Sequence, residues 1–112
     1  MESILTSIKK MLGIEADYTH FDPDIIVGIN TALMTLCQIG VGPTNGFSIL
    51  GDTETWGNFL GSTTSLEAVK TYVYLRVKLV FDPPSSSALI DSYKRQADEY
   101  EWRLQIQQES LS

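Results

Sequence analysis

The side chains best suited to chemistry cluster in residues 17–24, where the only histidine, His20, stands among Asp17, Asp22 and Asp24. A histidine beside carboxylates can bind a metal ion or act in an acid–base pair. However, an aspartate followed directly by a proline is typical of a helix N-terminus, where the carboxylate caps free N–H groups and proline loses no hydrogen bond. One chain also offers no second imidazole. We therefore interpret the segment as a capping loop in which Asp22 is the N-cap, and we predict no metal site there.

Cys37 is the only cysteine, so the chain can form neither an internal disulfide nor a cysteine-based metal cluster. A nucleophilic cysteine needs a thiolate, which a helix N-terminus or a basic neighbour favours. Cys37 lies near the predicted end of a helix, on its apolar stripe, and is interpreted as a buried thiol. The glycines at 40, 42, 46 and 51 do not have the spacing of a phosphate-binding loop. We predict no catalytic residue, no cofactor and no enzymatic activity.

The composition is that of a globular protein, with 112 residues, 43% of them hydrophobic and 20% charged. This length predicts a single domain over residues 1–112. The formal net charge of −6 argues against a protein that coats DNA or RNA, which needs a basic face. No apolar run approaches the roughly 18 residues that span a bilayer, so no membrane association is predicted.

Apolar periodicity predicts two helices in the first third of the chain. The first is short, ends at Gly13 and has Lys9 and Lys10 off its apolar stripe. The second begins at Asp22 and ends at residues 40–43, since glycines and a proline stop a helix there. The stripe of the first helix comprises Ile4, Leu5, Ile8, Met11 and Leu12; that of the second comprises Ile25, Ile26, Ile29, Ala32, Leu33, Leu36 and Cys37.

Residues 44–55 are predicted to be irregular. The pair Asn45–Gly46 indicates a turn. The apolar positions at 47, 49 and 50 are compatible with a short strand or with a plug in the core, and a hairpin would need Val41 or a neighbouring chain. A brief helix capped by Asp52, Thr53 or Thr55 then holds Trp56, Phe59 and Leu60 and ends at Gly61.

A fourth helix, capped by residues 62–65, is apolar on most of its circumference, which is typical of a central core helix or of one that also makes an intermolecular contact. Because valine and tyrosine favour strands, a strand over residues 71–81 is the competing interpretation. The stripe begins at Leu66, too early for a strand, and favours the helix. Its two apolar stripes are Leu66, Val69, Val73, Val77 and Val80, and Tyr72, Leu75 and Leu79.

A fifth helix, capped by residues 85–87, extends to about Gln108 and leaves residues 109–112 as a frayed tail. It spans roughly 36 Å, longer than a small core needs. Trp102 and Ile106 lie off its stripe, and an exposed tryptophan is typical of a partner contact. The stripe comprises Leu89, Tyr93, Gln96 or Ala97, Tyr100 and Leu104.

The order of several segments resembles the small head–tail connector, or adaptor, proteins of long-tailed bacteriophages and prophages, particularly those of Gram-positive hosts. The resemblance covers about residues 3–106. The segments that carry it are HFDPDII at 20–26, IN at 29–30, QIGVGP at 38–43, WGNFL at 56–60 and VKTYVYLRVKLVFDPP at 69–84.

The resemblance implies an all-α, ring-forming fold, here a small bundle of four to five helices with one irregular loop. It implies a structural subunit of the virion neck, assembled in the host cytoplasm into a ring between portal and tail. Its implied partners are itself, the portal and other neck or tail-completion proteins, and DNA only passes through the lumen. Residues 43–55 are a candidate for ordering on contact with a neighbour. Candidate portal or subunit contacts are Tyr74, Arg76, Trp102, Arg103, Leu104 and Ile106.

The alternative hypothesis is a small acidic helical module or regulator that sequesters a basic partner. Such a module would gather its carboxylates on one face, whereas a connector would leave Trp102 and part of the fourth helix exposed.

Overall fold

All regular secondary structure is α-helical in residues 2–61 and 65–111, which are the residues that the computed structural model describes. Outside the helices, this part of the chain has one isolated antiparallel bridge, between Ser3 and Thr55. The predicted all-α class is confirmed. The helices are α1 (Ile4–Met11), α2 (Asp22–Gln38), α3 (Trp56–Leu60), α4 (Leu66–Phe81) and α5 (Ser87–Leu111). Over the same residues, no helix is long and apolar enough to cross a bilayer.

Helix α4 is the central element, because α1, α2 and α5 all pack on it. Its helical form is confirmed over the competing strand. The residues that it buries are Val69, Tyr72, Val73, Leu75 and Val77. Val80, which the stripe predicted to be in the core, is 82% exposed. That prediction is wrong because Val80 lies in the last turn of α4, where it borders an open groove that the neighbouring helices flank but do not close.

Helix α2 begins one residue earlier than its predicted cap implies. Phe21 occupies the N-cap position and Asp22 is already helical. The Asp22 carboxylate does not cap the helix. Instead, its Oδ1 lies 2.8 Å from the Lys9 Nζ, as an ion pair rather than an aligned hydrogen bond.

Lys9 is buried, with 1% of its surface exposed, although its place off the apolar stripe predicted an exposed side chain. Its ammonium donates hydrogen bonds to the carbonyl oxygens of Ala16 and Tyr18, at 3.0 and 2.8 Å. The α1–α2 connection therefore wraps around the ammonium and supplies the polar partners that a buried charge requires. The pattern of α1 could not indicate this, because the partners belong to a segment of irregular backbone.

Helix α3 is joined to α1 by hydrogen bonds. Thr55 and Asn58 form a capping box, which identifies Thr55 among the predicted caps. The buried Trp56 donates its indole N–H to the Ser7 Oγ at 2.7 Å, and that hydroxyl donates to the Ile4 carbonyl at 3.1 Å. Trp56 is thereby confirmed as a core residue.

The ends of the last two helices differ in part from the prediction. Residues 62–64 of the predicted α4 cap lie outside the described residues, and Ser65 donates its hydroxyl to Gln107 rather than capping α4. Ser86 caps α5 as predicted, by accepting a hydrogen bond from the Leu89 N–H. Helix α5 continues to Leu111, so residues 109–111 are helical rather than a frayed tail, since neither glycine nor proline interrupts them.

Two further residues predicted on core stripes are exposed, namely Met11 and Leu89. Both lie at helix ends, in the last turn of α1 and the first turn of α5. A stripe is buried only where another element covers it, and periodicity carries no information on where that cover stops.

Candidate interaction surfaces

The segment around His20 forms no metal site in the structure. His20 is exposed, and its ring packs edge-on against Phe21, with 4.8 Å between the ring centroids. Asp22 is engaged by Lys9. Nowhere in residues 2–61 or 65–111 do three His, Cys, Asp or Glu side chains converge as metal ligands would.

Cys37 is half-buried near the end of α2. Burial raises the pKa of its thiol above the ordinary value, and a backbone hydrogen bond at Phe47 offsets only part of that effect. The raised pKa disfavours the thiolate that a nucleophile needs. His20 precedes the opposite end of α2, about 25 Å away along the helix axis, so the two residues do not form a catalytic pair.

An open groove of about 830 Å³ is lined by α2 and α4, and Glu101 of α5 borders it; we call it the α2–α5 groove. Small residues line its α2 wall, and exposed valines lie at its rim. Its lining includes Asp24, Val27, Gly28 and Thr31 on α2 and Val80 on α4. Sequence reasoning did not single out this groove. The available signal was Val27, an apolar residue outside the predicted stripe of α2.

A polar network ties α4 to α5 at the floor of the groove. The Tyr72 hydroxyl donates to the Glu101 Oε1 at 2.7 Å and accepts a hydrogen bond from the Arg76 Nε at 3.2 Å. The Arg76 guanidinium also pairs with Asp98 at 2.9 Å and with Glu101 at 3.2 Å. Burial lowers the pKa of Arg76, but its hydrogen bonds to Tyr72 and Asp98 outweigh that effect and leave the pKa raised. The charge of Arg76 is therefore satisfied within the subunit.

Tyr72 should make the stability of the protein fall in strongly alkaline solution. Burial raises the pKa of Tyr72 to about 12, whereas an unfolded tyrosine titrates near 10. The contribution is fully present below pH 10 and is lost as the pH rises through 12, because only the unfolded chain releases this proton in between. We expect the free energy of unfolding to fall by about 1.4 kcal/mol per pH unit through this residue.

Urea unfolding at pH 9, 10 and 11 measures this slope. Tyr72→Phe lacks the proton and should fall less steeply, although it starts from a lower stability because it loses the bond to Glu101. If the free energy of unfolding falls equally steeply with pH in the two proteins, the pKa of Tyr72 is not raised by folding and the prediction is wrong.

The solvent-facing side of α5 carries a second surface with exposed apolar residues, which we call the α5 outer face and define by Arg95, Trp102 and Ile106. Trp102 is 61% exposed, and Ile106 lies one turn further along the same side. Arg103, next to Trp102, is exposed and pairs with Glu99 at 2.8 Å.

The six candidate contacts from the sequence do not form one surface. Leu104 is buried, 3% exposed, because it follows Ala97 by two helical turns on the core side of α5; its assignment as a surface contact is wrong. Arg76 lies in the groove, whereas Trp102 and Ile106 lie on the α5 outer face. Tyr74 is half-buried on α4. Contact of the five other residues with a portal or a neighbouring subunit stays a prediction.

A third apolar surface is the tip of the irregular segment. Ile49 is buried, which favours the core-plug interpretation, and Asn30 bonds to both its N–H and its carbonyl, at 2.7 and 3.0 Å. Leu50 is 90% exposed, and its N–H donates to the Glu54 Oε2 at 2.7 Å. The tip is therefore held by hydrogen bonds within the subunit, and ordering by a neighbour is not required to explain its conformation.

A family model described as phage connector protein matches residues 4–110. No curated protein and no solved structure matches the chain.

Proposed function

The chain belongs to the phage connector protein family, and from this premise we propose that it is the subunit of a homo-oligomeric ring between the portal and the tail of a bacteriophage. Membership makes it a structural component of the phage particle. The ring, its place in the neck and its contact with the portal are our inferences, and the surfaces described above support them.

The observation that carries the proposal is the exposure of large apolar side chains at separate places on one small subunit. Val80 borders the α2–α5 groove, Trp102 lies on the α5 outer face and Leu50 lies at the tip of a loop. Folded monomers rarely leave apolar patches uncovered unless a partner binds them. A head-to-tail ring needs two different surfaces for its neighbours, and a neck position needs further ones for the proteins above and below.

The charge of the chain suits a DNA conduit that does not bind its cargo. A net charge of −6 per subunit, repeated around a ring, repels the phosphate backbone and discourages adhesion during passage. This role has no catalytic step. Assembly would take place in the host cytoplasm, where portal, neck and tail-completion proteins are available as partners.

The alternative, an acidic module that sequesters a basic partner, fits the structure less well. Several carboxylates are already paired with bases of the same chain, such as Glu2 with Lys70 and Asp82 with Lys78. Those with no ion pair among the described residues, such as Asp17, Asp52 and Glu67, lie on different elements rather than along one helix face.

Mass measurement by light scattering, with and without the portal protein of the same phage, tests the proposal. We expect the chain to join the portal as several copies per portal ring, with the major capsid protein as a control that it does not bind. A chain that stays monomeric and ignores the portal at micromolar concentration would contradict the proposed function.

A further inference from the structure

We propose that the α5 outer face of one copy docks into the α2–α5 groove of the next copy, with Trp102 as the central contact. This inference rests on the proposed ring and names the surfaces that would build it. The partner is a second copy of this chain, because the two surfaces match in size, length and charge.

Trp102 has the properties of an interface anchor. It is largely exposed, with 61% of its surface accessible to solvent. Burial of an exposed tryptophan removes about 150–250 Å² of surface from water, and tryptophans dominate the binding energy of many interfaces. The residue keeps its place on a regular helix, so docking requires little loss of backbone freedom.

The volume of the groove, about 830 Å³, is sufficient for an indole. Gly28 lets α2 pack closely on α4 beneath it, because a Cβ built at this position would already contact Val77 of α4 at 3.4 Å. Thr31 follows one turn later, and the exposed Val27 and Val80 supply apolar contact at the rim. An indole ring inserted between these residues would cover both valines.

The two surfaces have the same length. Arg95, Trp102 and Ile106 occupy positions i, i+7 and i+11 of α5, and Asp24, Thr31 and Thr35 occupy the same spacing on α2. Eleven helical residues span about 16 Å in each case. A parallel register therefore places Trp102 at Thr31 and, at the other end, Arg95 at Asp24.

The charges at that end are complementary. Asp24 is exposed in the first turn of α2, and neither it nor Arg95 makes an ion pair with any residue that the structure describes. Asp98 and Glu99, which lie between Arg95 and Trp102 on α5, are already paired with Arg76 and Arg103. The Leu50 tip is a poorer occupant of the groove, because Asp52 and Glu54 have no ion pair with any described residue and would bring negative charge towards Asp24. Like charges in contact oppose binding, which leaves the α5 outer face as the better match.

Two complementary variants test the docking by sedimentation up to millimolar concentration. Trp102→Ala removes the anchor, and Thr31→Arg fills the groove; both positions are exposed, so each variant should fold. We expect each to self-associate about thirtyfold more weakly than wild type. Thr53→Arg, an exposed change outside both surfaces, should associate as wild type does.

Mixing the two variants gives the decisive result. The Thr31→Arg copy retains Trp102, and the Trp102→Ala copy retains an open groove, so the mixture should form a 1:1 dimer that grows no further. A charge exchange gives a second check: Asp24→Lys and Arg95→Glu should each weaken association about threefold, and the double variant should recover it.

Several outcomes would overturn the docking. They are a wild type that remains monomeric at millimolar concentration, variants that assemble normally, and a mixture that stays monomeric. None of these would remove the proposed function if the chain still binds the portal, since other surfaces would then build the ring. Loss of portal binding with self-association intact would contradict the proposed function alone.

Discussion

Replacement of Gly42 by alanine is expected to destabilise the protein by about 2–5 kcal/mol, the sum of two separate costs. Gly42 has a φ of +94°, a region that L-residues enter only with strain. In addition, a Cβ at this position would collide with the Phe59 Cε1. Phe59 is buried and its ring contacts Phe47, with 5.3 Å between the centroids, so it has little freedom to move away.

Gly46→Ala is the matched control for that variant. Gly46 has nearly the same φ, +90°, but a Cβ there would meet no atom within 4 Å. Alanine at this position therefore measures the backbone strain alone, about 1–2 kcal/mol. Urea unfolding of the two variants separates strain from collision, and equal losses of stability would show that Phe59 yields without cost.

Lys9→Met should be the second strongly destabilising change, by about 3–5 kcal/mol. Methionine keeps the length of the side chain but removes the ammonium. The Asp22 Oδ1 would then be a buried charge without its partner, and the carbonyls of Ala16 and Tyr18 would each lose a hydrogen bond. The unpaired groups, rather than any lost apolar contact, account for the expected size of the effect.

Lys10→Met provides the control, because Lys10 is the exposed neighbour of Lys9 on the same helix. Its melting temperature should be close to that of wild type. Adding Asp22→Asn to Lys9→Met should recover part of the lost stability by removing the stranded charge. If the Lys9→Met and Lys10→Met variants have the same melting temperature, the buried ion pair contributes nothing to the stability of the fold.

The buried ion pair also affects the proposed contact surface. Lys9 holds the residues that lead into α2, and the first turn of that helix presents Asp24 at the groove. Phe21, immediately before α2, packs on Phe81 at the end of α4, with 5.3 Å between the ring centroids. The irregular α1–α2 connection, which the sequence indicated only as a capping loop, therefore sets the position of one end of the groove.

The candidate site was only partly predictable from the sequence. The exposed Trp102 was anticipated, since it falls off the stripe of a helix longer than its core. The groove was not, because its lining comes from α2, from α4 and from Glu101 of α5, which are distant in the sequence and meet only in the folded chain. Leu104 illustrates the same limit, since this residue, two positions after Trp102, lies on the opposite side of the helix.

The sequence by itself determined the order and type of the helices. Helical periodicity, the caps at Thr55 and Ser86, and the breaks at glycine and proline are local properties, so they are legible without any knowledge of neighbours. Only the tertiary structure decided that Lys9 is buried and Val80 is exposed. Burial depends on which distant element covers a side chain, and for a charged residue on whether irregular backbone supplies its polar partners; neither is encoded in the spacing of residues along one helix.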